Sequence, residues 1–563
     1  MANDGDETEP ESSDTVETGA GSATVIDDHV EDPSEDRPVD PAETDPVDGQ
    51  ATVPGVGSGP GPAPWSLTIR RWRFGPASLT LIGAMAVFFA VFGRLMWLRH
   101  ARYGTFDFDL GHHDQAIWLL SRGKGFVTVS GMPVLGHHLT LAYFAVAPLY
   151  WLGGGPQLLD LLQTAAMALA AVPIYVYAKD RLGNEWWAVA FGAAWLLNPS
   201  VQWLVWEAWH PETMAIPFFL TAYVLSERGR IRGYWIFLFA TLAWKEDLAL
   251  AVAVLGVLYL IRGRRRLGLM TIGVAAAWFV MAYMIVMPHF NGGQNHAGIF
   301  YGEIGDGPLG IIRTTLTDPG LIWRRLEGND ALGYARDLLA PFGFTPLLAP
   351  LTLLMAVPQF FANALTNQSF FYDIRFHYVA IILAVMALAS IEGVARFRAT
   401  GLRRCAVGLV VAAALATTVA WGRSPLSTHY RDGYWTLNPN PLQAVLDDAV
   451  DSVPDGASVS ATYNIVPHLS HREQIYTFPN PWIPANWGVA GIAPEDPNHD
   501  HVPAEVDWLV INTGTHQPGS QVDALFTTLI DDGEFEVVSS DQNIVVARRV
   551  APPAAPTEFD AAD

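Results

Sequence analysis

Apolar residues in this chain collect into runs of about twenty, the length that crosses the hydrocarbon core of a bilayer. The clear runs are 77–98, 157–178, 187–206, 211–226, 268–288, 346–362, 376–394 and 404–421. A further run, 231–261, is long enough for two passes. It carries Lys245, Glu246 and Asp247 near its middle, where a turn between two short helices belongs. Segments 139–152 and 336–345 are apolar but short, and suit tilted, re-entrant or interfacial helices.

Basic residues between the runs set the orientation, because cytoplasmic loops carry the excess of Lys and Arg. Arg70, Arg71 and Arg73 place the N-terminus in the cytoplasm. Lys179 with Arg181, Arg228 to Arg232, Arg262 to Arg266 and Arg396 to Arg404 mark further cytoplasmic loops. The loops 99–138, 207–212, 289–335 and 363–375 then face outside, and so does the C-terminal region. That parity requires an odd number of crossings, about eleven.

The flanking regions have a different pattern. Residues 1–64 are rich in Asp and Glu, then in Gly and Pro. They hold too few large apolar residues to offset the entropy of ordering, so a disordered acidic tail is expected. The tail has no basic start followed by an apolar core, so it does not read as a signal peptide. Residues 65–421 form the expected membrane domain and 422–550 a small extracytoplasmic α/β domain. In the latter, "GASVSATYN", "VDWLVIN" and "NIVVARR" read as strands and "PLQAVLDDAV" as a helix. Residues 551–563 are Pro/Ala-rich and read as a loose tail. The fold class expected is therefore an α-helical polytopic membrane bundle with a small C-terminal α/β domain.

Composition narrows the function. Of 563 residues, 50% are hydrophobic and only 16% charged, with a formal net charge of −23. No stretch combines clustered Lys/Arg with interleaved aromatics, which excludes a nucleic-acid partner. The single cysteine, Cys405, lies in an apolar run and excludes a disulfide framework or a Cys-based zinc site.

Ionisable residues at the edge of a spanning region are costly, and are functional candidates for that reason. Five groups stand out on the expected outer side. In "YGTFDFDLGHHDQAIW", Asp107 and Asp109 are spaced to hold a divalent cation through oxygen ligands, or to supply a general base. Asp109 or Asp114 would equally serve as a cap for the helix that follows. His137 and His138 open the segment 139–152, as phosphate or metal ligands or as markers of the interface. Glu207, His210 and Glu212 surround Pro211 at a helix start, where acids also suit the positive helix end. Lys245, Glu246 and Asp247 interrupt an apolar stretch, either for chemistry or as a mutually paired knot. Arg375 and His377 precede a spanning helix among aromatics; Arg375 matches phosphate oxygens with its planar fork, or else snorkels at the interface. Acids for base or metal work, beside cations for phosphate, point to a phosphorylated substrate at the membrane surface. The substrate-binding set expected is His137, His138, His210, Glu212, Lys245, Glu246, Arg375 and His377.

The strings "FDFDLGHHDQAIW", "GHHLTLAYFAVAPLYWL", "NPSVQWLVWEAWHPE", "AWKEDLAL", "FHYVAI" and "SATYNIVPHLSHREQIYTFP" occur in order. They resemble one prokaryotic membrane family, domain of unknown function 2079, over roughly 80–545. That family is similar to the C-type-fold glycosyltransferases, which take sugars from lipid-phosphate donors. The resemblance implies a helical bundle whose long first outer loop carries a catalytic acid. Here the matching acids are Asp107 and Asp109, in an Asp-x-Asp pattern, with Asp114 close by, and Lys245, Arg375 and His377 are candidates to hold the departing phosphate. It implies a polyprenyl-phosphate-linked sugar donor drawn from the membrane lipid, and an acceptor bound under the C-terminal domain, whose "PHLSHRE" turn carries His468, His471 and Arg472. Many such enzymes need no metal with a single-phosphate donor, so no cofactor is assigned and a divalent cation stays open. Two other readings compete: a transporter or flippase for a lipid-linked or anionic solute, which would use broken mid-membrane helices, and a non-catalytic membrane protein whose outer domain is an interaction module.

Overall fold

The structure is a computed structural model that describes residues 75–293, 300–305, 307–485, 487–488 and 506–551. The acidic tail expected over 1–64 and nearly all of the 551–563 tail lie outside the described residues.

The apolar runs become helices. Pro76–Ala101 starts on a proline, where the missing N–H costs nothing, and runs for 26 residues. Among the described residues five helices are long and apolar enough to cross a membrane: Pro76–Ala101, Pro156–Leu182, Arg265–Phe290, His377–Ala395 and Thr400–Trp421. A sixth crossing arises if Glu185–Leu197 and Pro199–Trp206 are counted as one span bent by 46°. The bend has a local cause: Pro199 lacks the N–H that would continue the first helix, and the Asn198 side chain caps the second through Ser200 N at 2.9 Å. Three shorter apolar helices, Tyr143–Leu152, Ile231–Leu242 and Leu248–Ile261, complete the set, against the eleven or so crossings expected from the sequence.

The 231–261 run divides where expected, with Lys245, Glu246 and Asp247 in the break. The segment 346–362, expected as one span, is instead a chain of short turns: Thr345–Leu348, Pro350–Leu353, Leu354–Ala356 and Val357–Ala364. Pro346, Pro350 and Pro358 each remove a donor and disfavour a helical residue before them, so a continuous helix cannot propagate. Leu248–Ile261 and Arg265–Val280 pack with little between them: a Cβ on Gly268 would lie 2.7 Å from the Gly256 carbonyl oxygen.

Burial separates the bundle's centre from its lipid-facing rim. Ala380–Ala395 is buried almost throughout and packs on Ala171–Leu182 and Pro211–Glu227. Arg265–Phe290 lies at the rim, with Leu269, Met284 and Ile285 among its exposed apolar side chains. The basic loops meet at one end of the bundle: Arg228 pairs with Asp180, Arg181 with Glu392, and Arg262 and Arg264 with Glu227. The other expected site motifs gather at the opposite ends of these helices.

A short hairpin, β1 (Phe126–Val127) with β2 (Met132–Pro133), lies in the first long loop. The C-terminal region forms a mixed five-stranded sheet from β3 (Val459–Ala461), β4 (Ile475–Thr477), β5 (Trp508–Asn512), β6 (Phe535–Asp541) and β7 (Ile544–Arg549), in the order β4-β3-β5-β7-β6. Strand β3 runs parallel to β4 and β5, with Val459 opposite Ile475 and Trp508. Strands β5, β7 and β6 are antiparallel. The three strands and the helix (Gln443–Asp451) read from sequence are present; β4, β6 and the helix Gln521–Asp531 were not anticipated.

Candidate functional site

Four chain breaks build the site. The first follows Pro76–Ala101, where a π-turn, Asp107–Gly111, leads into the helix His112–Leu120. No side chain caps that helix, so the capping expectation for Asp109 and Asp114 fails. The turn sends the three acids to different places. Asp107 accepts from Thr477 Oγ1 of β4 at 2.6 Å. Asp114 is fully buried and accepts from Tyr150 Oη and Ser470 Oγ, both at 2.6 Å, with His471 Nε2 at 3.0 Å. Asp109 opens instead into a cavity of about 660 Å³.

The second break, 207–210, is shaped from another helix. Gln163 Oε1 accepts from His210 N at 2.7 Å and Thr213 Oγ1 at 2.6 Å, while its Nε2 donates to the carbonyls of Leu204 and Ala208. Those bonds hold Ala208 at φ +75°, a left-handed conformation that costs a residue with a Cβ about 1 kcal/mol or more. Glu207 and His210 are thereby turned inward. The third break presents Lys245, Glu246 and Asp247, and the fourth presents His377 ahead of the central helix.

In the cavity these groups meet. His210 and His377 stack face to face, with ring centres 3.7 Å apart and planes within 16°. His377 Nδ1 donates to Glu207 Oε1 at 2.7 Å, and its Nε2 lies 3.5 Å from Glu212 Oε1. His210 Nε2 lies 3.7 Å from Asp109 Oδ1. Lys245 is bound to Glu212, with Asp247 at 3.9 Å, and faces the ring of Tyr378 at 5.8 Å. Glu246 accepts from His138 Nδ1 at 2.8 Å and from Leu139 N at 3.1 Å, tying the 138–146 segment to the third break. His137 also lines the cavity, as does His113, whose Nδ1 meets Tyr143 Oη at 2.5 Å.

Electrostatics follow from enclosure. Burial pushes the Asp109 carboxyl above the usual carboxylate range, against the pull of His210 and Arg99, although 32% of its side chain is open to the cavity. Burial likewise raises Glu207, helped by Asp109 and Glu212, and lowers His210. Burial opposes the charge on Lys245, but Glu212, Asp247 and Glu246 outweigh it and hold the ammonium charged. Burial also acts against Glu246, yet His138 keeps it below its ordinary value.

The cavity therefore unites Asp109, His137, His138, His210, Glu212, Lys245, Glu246 and His377 from the expected set. Asp107, Asp114 and Arg375 are outside its lining. Arg375 is half exposed and makes a bidentate pair with Asp373. His468 stacks on Tyr103 and His100, away from the cavity lining. Gln163 escaped the sequence reading, because a glutamine within an apolar helix carries no motif. Tyr283 and Tyr301, which line the cavity, escaped because a single tyrosine carries no motif. The same lining holds apolar side chains, among them Leu250, Phe279, Ile312, Phe361 and Phe371. The ionisable groups, taken together as the cavity floor, and the apolar side chains of the same lining suit a ligand with a charged head and a hydrocarbon body.

Comparison with known proteins gives three results. The family model described as "Predicted membrane protein (DUF2079)" matches residues 99–546. No curated protein matches the chain in sequence. Among solved structures, ArnT from Cupriavidus metallidurans in the apo state is similar with a TM-score of 0.52 at 14% identity, covering 85% of this chain and 100% of that one. The same protein bound to undecaprenyl phosphate gives a TM-score of 0.47 at 15% identity with the same coverage. The likeness to the apo structure is one of fold.

Proposed function

The chain belongs to the DUF2079 family of predicted membrane proteins, and from that premise we propose that it is a multi-pass membrane glycosyltransferase. It would move a sugar from a polyprenyl-phosphate donor to an acceptor at the outer membrane face. One observation carries the reading. Asp109, from the first long loop, opens into a cavity whose lining combines an ionisable floor with apolar side chains. The polyprenyl chain would lie against the apolar side chains and the sugar phosphate on the floor.

The chemistry then assigns roles. The Asp109 carboxylate takes the proton of an acceptor hydroxyl. The acceptor oxygen bonds to the anomeric carbon, and the bond from that carbon to the phosphate oxygen breaks. The lipid phosphate leaves with the electron pair. Lys245 supplies positive charge, and His137 and His138 line the same cavity as N–H donors, for the developing phosphate charge. The sidedness supports an external reaction, because the basic loops gather at the bundle end opposite the cavity.

The test uses membranes of the producing cell supplied with radiolabelled polyprenyl-phosphate sugars. Transfer should occur with wild type and fall at least about 100-fold in Asp109→Asn at equal expression. Equal transfer in both, or none across a broad donor panel, overturns the reading. A second reading, transport of a lipid-linked anion, draws on the helix broken at 243–247 around Lys245. It predicts donor translocation without transfer.

A further inference from the structure

We propose that the cavity floor holds one divalent cation of the zinc class, on Glu207, His210 and His377. This assigns the ion to a different ligand set from the Asp107–Asp109 pair that the sequence offered for a metal, with Asp109 Oδ1 a neighbour 3.7 Å from His210 Nε2.

Three observations converge. The first is geometric: one donor atom from each of the three residues lies within 4.8 Å of the others. Zinc bonds of about 2.0–2.2 Å separate tetrahedral ligands by roughly 3.5 Å, so the site closes when the donors draw together and the His210 and His377 rings, stacked within 16°, tilt until both ring planes contain the ion. The His210 imidazole is also braced as a ligating histidine is, by a hydrogen bond on its far nitrogen, and His377 has a carboxylate oxygen near its own. Ala208 O lies 3.4 Å from His210 Nδ1, and Glu212 Oε1 lies 3.5 Å from His377 Nε2. That leaves His210 Nε2 and His377 Nδ1 for the ion, with Glu207 already 2.7 Å from the latter.

The second observation is an unmet demand. Glu207 is 3% exposed, and its Oε2 has no hydrogen-bond partner. Glu212, 5% exposed, has an Oε2 in the same condition. Buried carboxylate oxygens are seldom left so, and a cation beside Glu207 supplies what is missing.

The third is charge. Among the described residues of the lining, Asp109, Glu207, Glu212, Glu246 and Asp247 face one another with Lys245 as their single lysine or arginine. A phosphate head brought onto that floor would meet mostly carboxylates. A divalent ion lowers the negative charge and offers an open position to a phosphate oxygen, as three-ligand zinc sites do. Only this last link, from ion to phosphate, rests on the glycosyl-transfer reading; ion binding does not, so the two fail separately.

The experiment uses the tag-free full-length protein in detergent, stripped with chelator and then exchanged against Zn²⁺, Mn²⁺ or Mg²⁺. Elemental analysis should find one zinc per chain, and Co²⁺ loading should give tetrahedral d–d absorption. His377→Ala and the conservative Glu207→Gln should each weaken zinc binding at least about 10-fold. His429→Ala, at an exposed histidine outside the cavity, should leave it unchanged. Failure of wild type to retain zinc, equal retention of Mg²⁺, or wild-type affinity in a folded Glu207→Gln protein would overturn the proposal. If His377→Ala fails to fold, the cobalt spectrum of wild type and the Glu207→Gln affinity still decide it. Zinc binding without sugar transfer would leave the ion site standing and remove the glycosyltransferase reading.

Discussion

Replacing Lys245 by methionine keeps much of the side chain's volume and removes its charge. Lys245 is 6% exposed and Glu212 5%, so neither can turn to solvent when its partner goes. Breaking a buried pair from one side costs about 3–5 kcal/mol, because the remaining charge is uncompensated. In a chain this long each kcal/mol moves the melting temperature by roughly 1–2 °C, so Lys245→Met should melt about 3–10 °C below wild type. Glu212→Gln should cost less, because Asp247 still lies 3.9 Å from the ammonium. The double variant should recover most of the loss, since replacing both partners of a buried pair is often nearly neutral. Intrinsic tryptophan fluorescence of detergent-purified protein during heating reads all four melting points. A Lys245→Met midpoint within 1 °C of wild type, or a double variant as unstable as that single one, would refute the premise that the charges compensate each other.

Three more outcomes are expected. Glu246 is held below its ordinary range, so its stabilising effect is complete above the unfolded value near pH 4.3 and is lost as pH falls through the lower folded value. Wild type should therefore lose about 1–3 kcal/mol more than Glu246→Gln on acidification below that point, and parallel acid limbs would contradict it. Asp114→Ala strands the buried Tyr150 hydroxyl, at about 1–3 kcal/mol, and removes the Ser470 and His471 ties, while Ser470 Oγ keeps the Pro467 carbonyl, so it should melt lower and expose the 466–475 region to trypsin; an unchanged digestion pattern would count against this tie. With Cys405 replaced by alanine, Glu536→Cys in β6 should react with a membrane-impermeant maleimide in intact cells, and protection there would reverse the proposed orientation.

Some features of the site were legible because they are local. Asp109, His137 and His138, His210, and Lys245 with Glu246 stood out as ionisable residues beside apolar runs, where each is expensive. The separation of Asp107, Asp109 and Asp114 was not legible. They lie within eight positions, yet the π-turn and the packing of β4 and the 466–471 turn give each a different partner. Arg375 carried a phosphate-binding pattern in sequence, but its nearest opportunity is Asp373, two residues away. Gln163 had no pattern at all, though it positions His210 and Thr213 through three hydrogen-bonding atoms of the 208–213 turn.

By itself the sequence determined that this is a membrane helical bundle with a small C-terminal α/β region. Apolar run length and the placement of Lys and Arg are read by the bilayer residue by residue, without reference to any other part of the chain. It also determined that acids and histidines would cluster at the helix ends opposite the basic loops. The tertiary structure alone decided which of them share a cavity. That choice depends on contacts between segments more than a hundred residues apart, such as Glu207 with His377 and Glu246 with His138. Those contacts are set by helix packing around Ala380–Ala395, where shape rather than local propensity determines what lies next to what.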